Sequence, residues 1–393
     1  MLSHYSPRGF LRQVSNSLLQ RYFASRALLL DADWPALGET AVEPLFRAWL
    51  ELPEEEQKRT DAEFTAIHEL ANDAGVAVLI EEGKWHNLEL AATFETFDDQ
   101  YNMVTWAFLE QPRVFEVATL FRAADRIASR SWYKTRGLPE TPPRDTRSAC
   151  ETLATSLSGF FVPKQGRGRH CEVEVYQRSG QYYYFAFLED YARAEQDSVD
   201  GKFVRQTHRR AFQVVFAFAP SQGTVDVSAP GGAPIVTKLT KIAVGVLLGA
   251  DIGKSASDER AYDLEQLRSK AFVWKRPEAA GISAVWVKSL RLSLKAGDGR
   301  VVLEGTRQGE AHALYARLAS LGARPGRLDP AADYVTQAEV RVEYAARNGH
   351  NIPARDFRVT YPNKCNLGQD ERDRLLREML IASGVDPSRI GAD

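Results

Sequence analysis

Residues 172–187, EVEVYQRSGQYYYFAF, carry the reading on which the fold turns. Glu172, Val173, Glu174, Val175 and Tyr176 alternate polar with apolar, Ser179-Gly180 offers a turn, and Tyr182 to Phe187 form an aromatic-rich partner strand. A period of two belongs to a strand with one packed face, so this stretch predicts a β-hairpin.

Upstream the period is helical. Ser6 before Pro7 is a helix start, because a serine oxygen caps open N–H groups and proline fits the first helical position. Phe10, Leu11, Val14, Leu18, Leu19, Tyr22 and Phe23 then mark one buried face. Further helices are expected over 42–50, from Glu54 to a stop at Gly75, over 88–109 and over 114–132, giving a five-helix bundle. Trp106, Phe108, Phe115, Phe121 and Trp132 suit a helical core. GLPETPPRDTR, residues 137–147, has three prolines and is the expected linker.

Downstream the hairpin recurs. Ala211 to Phe218 and Thr224 to Ser228 bracket Ser221-Gln222-Gly223, and a helix follows over 236–248. Val285 to Leu294 and Arg300 to Glu304 bracket Ala296 to Gly299, with a helix over 311–321. Ala338 to Ala346 and Arg355 to Tyr361 bracket Asn348-Gly349, with a helix over 370–383. The expected fold class is α+β: a helical N-terminal domain followed by a strand-rich region of repeated β-hairpin-plus-helix units. The expected domains are an acidic all-helical domain over 1–136, an α+β domain with two hairpins and a helix over 148–275, and an α+β domain with two hairpin-helix units over 276–393.

The 393 residues are 44% hydrophobic and 26% charged, which excludes disorder and suits two or three domains. Cys150, Cys171 and Cys365 are odd in number, far apart and without CxxC spacing, against a disulfide framework or a zinc site. The first residues lack a secretory pattern, and the apolar run Ile242 to Leu248 is too short for a membrane span of about 20 residues. A soluble, cytoplasmic protein with no membrane partner is expected, and the excess of Arg over Lys with abundant Ala suits a bacterial source. The formal charge of -2 hides a cancellation: residues 1–100 hold 8 Lys+Arg against 18 Asp+Glu, residues 101–393 hold 42 against 34.

Two basic clusters stand in the strand-rich part. In PKQGRGRHC, residues 163–171, Lys164, Arg167, Arg169 and His170 gather cations without an acid, and Gly166 and Gly168 suit close backbone approach to a phosphate. The alternative is an exposed turn, and the spacing is not that of a P-loop. Lys202, Arg205, His208, Arg209 and Arg210 form the second cluster. Tyr182 and Tyr184 share a strand face and are the candidate base-stacking pair, with Tyr183 and Phe185 in the core; packing is the commoner role of strand aromatics, and the sequence does not say which face is wet.

Catalytic signatures are weaker. His170, Glu172 and Glu174 are in phase on one strand, and Asp226 is a candidate fourth ligand of a divalent ion; the array lacks a specific spacing signature, and an ordinary wet strand face explains it better. Arg169 and His170 beside Cys171 would in principle lower its thiol pKa, but adjacent strand residues face apart, and a buried structural thiol is the better reading. DIGK, residues 251–254, follows a helix and lacks a glycine-rich lead-in, and YPNKCN, residues 361–366, reads as a strand end leading into the final helix, with a contact surface as the lesser alternative. His68 and His86 have no ligand partner at helical spacing.

The reading is a non-catalytic bacterial accessory protein that binds DNA, RNA or a partner protein through its basic strand-rich half, with residues 1–136 offered to another protein. The alternatives are a metal-dependent nuclease or phosphodiesterase, and a protein-interaction scaffold without nucleic acid. No cofactor, resident metal or catalytic residue is assigned.

Overall fold

The computed structural model describes residues 4–39, 42–128, 131–199, 201–252, 260–294, 299–305, 311–322, 334–346 and 352–388, with backbone alone at 124–128, 311 and 312. It is α+β, with a helical N-terminal region followed by one antiparallel sheet. The chain divides into two compact units, Met1–Arg126 and Ile127–Asp393.

In the first unit the Ser6 hydroxyl accepts from the Gly9 amide and opens α1 (Pro7–Gln13). Extended backbone at Val14 and Ser15 separates it from α2 (Asn16–Ala24), so the apolar run from Phe10 to Phe23 spans two helices. Next come α3 (Val42–Leu50), α4 (Glu54–Leu70), α5 (Asp73–Trp85), α6 (Leu90–Phe94), α7 (Gln100–Glu110) and α8 (Pro112–Ala128). Phe64 of α4 is fully buried, with its ring 4.1 Å from Phe10 and 5.1 Å from Tyr22.

Two expected helices are broken by side-chain caps. Asn72 accepts from the Gly75 amide and starts α5, while Asp99 accepts from the Asn102 amide and starts α7. Gly75 is therefore near a helix start, not a stop. A Cβ there would stand 2.1 Å from the Leu70 carbonyl oxygen, so the glycine lets α5 pass close over the end of α4.

The second unit is built on ten strands: β1 (Trp132–Thr135), β2 (Cys171–Arg178), β3 (Gln181–Val199), β4 (Lys202–Ala219), β5 (Thr224–Ser228), β6 (Ile282–Ser293), β7 (Arg300–Glu304), β8 (Tyr334–Tyr344), β9 (Arg355–Thr360) and β10 (Lys364–Cys365). Their order is β2-β3-β4-β5-β1-β10-β9-β8-β6-β7. The hairpins β4/β5, β6/β7 and β8/β9 are followed by α10 (Ala233–Leu248), α11 (Ala311–Gly322) and α12 (Glu371–Ala382). Strands of both expected domains, 148–275 and 276–393, thus lie in one sheet, and Trp132 is its first strand residue instead of a helical core residue.

Two apolar cores cover the sheet. Leu153, Leu157 and Phe161 of α9 (Arg147–Gln165), with Leu239 and Val244 of α10, pack on Leu188, Val214 and Phe216. Leu314, Leu376 and Met379 pack on Leu290, Val340 and Phe357. The proline-rich stretch is packed as well: Leu138 is buried and its amide donates to the Gly223 carbonyl, while the Arg144 amide donates to Leu247. The turn segments at 296–298 and 348–349, and Lys254 of DIGK, lie outside the described residues.

β1 closes the sheet between β5 and β10, and charge is buried at that seam. Lys134 lies opposite Asp226 in the β1–β5 register. Its ammonium donates to Asp386 at 2.5 Å, and the Arg377 guanidinium of α12 donates to Asp226 at 2.9 Å.

Candidate nucleic-acid interface

β3 and β4 run well past the sheet. β2 pairs with β3 only as far as Leu188, and β5 pairs with β4 only from Val215 to Ala219. At Glu189/Ala192 a bulge sets Asp190 and Tyr191 against Arg210, and eight further pairs follow, from Ala192↔Arg209 to Val199↔Lys202. Such bulges sharpen the local twist and redirect a strand. At about 3.3 Å per residue the eight pairs make a two-stranded ribbon roughly 25 Å long.

The two faces of the ribbon differ. Residues opposite one another share a face, so Ala192, Ala194, Gln196 and Ser198 lie with Arg209, Thr207, Arg205 and Phe203. That face holds two arginines, small residues, a terminal phenyl and, among the described residues, no acid. The other face holds Arg193, Glu195, Asp197, Lys202, Val204 and His208. Cross-strand pairs tie His208 to Asp197 and, at 2.6 Å, Arg210 to Glu195. The β4 side, KFVRQTHRR over 202–210, has four Lys/Arg and no Asp or Glu. Phe203, two residues from the turn, is 80% exposed.

The expected residues fall into separate places. Lys202, Arg205, His208, Arg209 and Arg210 are on the ribbon, and Arg209 also meets Glu189 at its root, at 3.4 Å. Arg169 and His170 join Arg209 and Arg210 in the lining of an open cleft of about 720 Å³ at that root, together with Glu151, Glu172 and Glu189. The two basic clusters therefore meet, but their cations there are matched by carboxylates.

Arg167 serves the fold. It pairs with Asp190 at 2.8 Å and its guanidinium lies 4.0 Å from the Phe212 ring centroid. Burial works to raise the Asp190 carboxyl, but the Arg167 hydrogen bond and charge hold it below its ordinary value. Lys164, exposed on α9, stands 4.5 Å above the Phe160 ring. The glycines differ from expectation too. Gly166 is the left-handed C-cap of α9, and a Cβ on Gly168 would meet Phe161 Cβ at 2.9 Å, so both serve the helix end and its packing.

Tyr184 does not form a stacking surface. It is fully buried in the core with α9 and α10, and its hydroxyl donates to the Arg144 carbonyl. Tyr182 is half-buried against the same core. Tyr183 and Phe185, on the opposite face, are also buried, so aromatic alternation here separates two covered faces instead of a dry one and a wet one.

The catalytic candidates disperse. Asp226 is committed to Arg377 and does not join Glu172 and Glu174, and the Tyr176 hydroxyl donates to Glu174 at 2.8 Å. Among the described residues no three His, Cys, Asp or Glu side chains are grouped to hold a metal. Cys171 is half-buried, and burial, helped by Glu172, pushes its thiol up to about 12, the direction of a packed structural thiol and not of one activated by Arg169 and His170. His68 is buried, with Nδ1 at 2.6 Å from the Tyr101 hydroxyl, and His86 Nε2 is 3.2 Å from Glu82. Cys365 of YPNKCN is fully buried in β10.

The ribbon itself was missed by sequence reasoning, which ended the two strands at 187 and began them again at 211. Gly201 before the cation-rich run was the available signal; its φ of +70° suits a tight turn. No helix among the described residues is long and apolar enough to cross a membrane. No protein-family model matches the chain, and no curated protein matches it.

Proposed function

We propose that the chain is a non-catalytic bacterial accessory protein that binds nucleic acid with the β3–β4 ribbon, leaving the acidic helical unit to a protein partner. The observation that carries this reading is the β4 side of the ribbon, which holds Lys202, Arg205, Arg209 and Arg210 and has no acid of its own over 202–210. Phosphate contact needs accessible cations, and a narrow arm lets them reach a backbone; Arg209 and Arg210 are exposed and exchange their pairs with Glu189 and Glu195 for phosphate on binding. The wider charge distribution supports it: Met1–Arg126 has 11 Lys+Arg against 21 Asp+Glu, and Ile127–Asp393 has 39 against 31.

If Lys202, Arg205, Arg209 and Arg210 each displace one counterion, log affinity falls with log salt at a slope of about -3.6, or roughly 100-fold between 50 and 200 mM. Fluorescence anisotropy with labelled duplex DNA, single-stranded DNA and RNA, read across a KCl series, measures that slope. Arg205→Glu with Arg209→Glu is expected to weaken binding at least tenfold and reduce the slope by about 2. Absence of salt-sensitive association with all three probes would refute the reading, as would an unchanged slope in the double variant.

A further inference from the structure

We infer that the ligand is duplex DNA, and that the ribbon enters its minor groove and drives Phe203 between two base pairs, kinking the helix. The inference rests on the nucleic-acid reading above and adds a mode of action to it. Its starting point is the phenyl ring, the most exposed large apolar side chain among the described residues, which lies beside Val204 near the end of a largely polar arm. Among the described residues no third strand pairs with the ribbon below it, and at 80% exposed the ring adds little to a core.

Position and shape fit a wedge. Phe203 pairs with Ser198, whose short side chain leaves the ring standing clear of the ribbon. Arg205 follows two residues behind on the same face, about 7 Å along the strand, and Arg209 four residues further, about 13 Å. Ala192, Ala194 and Thr207 fill the same face with short side chains, which keeps the ribbon thin. With its side chains a two-stranded ribbon fits a major groove of about 12 Å and is wider than an undeformed minor groove of about 6 Å. A thin ribbon enters the minor groove once it is widened, and an inserted apolar side chain widens it by unstacking one step and bending the duplex away. Arginines behind the wedge are then held against the negative potential of the groove.

The test uses the full chain and a 30-base-pair duplex carrying a fluorophore at each end and 2-aminopurine at internal positions. Wild type is expected to shorten the end-to-end distance by energy transfer and to raise 2-aminopurine fluorescence at one step. Phe203→Ala should lose both signals and bind about tenfold more weakly, with the salt slope unchanged; Phe203→Trp should restore both signals. Because the side chain is exposed, circular dichroism should show unchanged folding in each variant. Steep, ribbon-dependent binding without bending, or undiminished bending by Phe203→Ala, would overturn the wedge while leaving the nucleic-acid reading intact. Tighter binding to single-stranded DNA or RNA than to the duplex would also overturn it. No binding to any probe would remove both.

Discussion

Replacing Lys134 by methionine tests the seam of the sheet. The Lys134 and Asp386 side chains are 3% and 2% exposed and meet at 2.5 Å, so the substitution leaves a carboxylate in the interior with its contacts to Ser388 but no cation. Breaking a buried pair by removing one partner costs about 3 to 5 kcal/mol, whereas replacing both partners with apolar residues is often near neutral. In urea, with a slope of about 3 kcal/mol per molar for a large unit, Lys134→Met should lower the midpoint by about 1 to 1.7 M. Adding Asp386→Leu should recover most of the loss.

The pH dependence has a definite sign. Burial works to raise the Asp386 carboxyl, but the Lys134 charge and the hydrogen bonds of Lys134 and Ser388 bring it below its ordinary value. Its contribution is present above an unfolded pKa of about 3.9 and is lost as pH falls through the folded value. In Lys134→Met only burial and the Ser388 contacts remain, and the carboxyl moves upward. The deficit should therefore be largest near neutrality and narrow in acid. A midpoint within 0.2 M of wild type at pH 7, on the order of one-fifth of the smallest shift worked above, would refute the argument that this pair is buried and coupled.

Two further outcomes follow from the ribbon root. Iodoacetamide at pH 7.5 should label Cys171 far more slowly than an ordinary thiol of pKa about 8.5, because its own is pushed up to about 12 by burial and Glu172; labelling at the rate of a free thiol would contradict this. Arg167→Ala should destabilise the fold by about 2 kcal/mol in denaturant titration, through the lost Phe212 stack and the stranded Asp190. The same variant should leave the salt slope of nucleic-acid binding unchanged, and a reduced slope would place Arg167 at the interface.

The legible parts of this fold were those where one physical signal acted alone. β2 and the start of β3 could be read from alternation and a tight turn, and Ser179-Gly180 adopts the positive φ values that such a turn needs. The helix breaks at Asn72 and Asp99 were written in capping residues, but continuing apolar periodicity outweighed them. The Tyr182–Phe187 strand was placed correctly and its faces were not, because burial on both sides erases the contrast that separates dry from wet. The ribbon failed for the opposite reason. Both its faces are largely exposed, so no apolar phase marks FVRQTHRR as a strand, and cross-strand pairing alone holds it. Of the candidate site, the cations of 202–210 were found from composition. Their shared face with Phe203, and the withdrawal of Arg167 and Tyr184 into packing roles, depended on register and burial.

The position of β1 has a consequence for how the chain is made. Lys134 and Asp386 are separated by 252 residues in sequence, yet they meet beside the strand that joins the two parts of the sheet. During synthesis β1 can pair with β5 once Ser228 has emerged, while its other side waits for Lys364 and Cys365. Until then its far edge and the acceptor for Lys134 are missing. Contacts this distant in sequence slow folding and expose unpaired edges on the way. The sheet is fastened at its centre by residues made long after β1 itself.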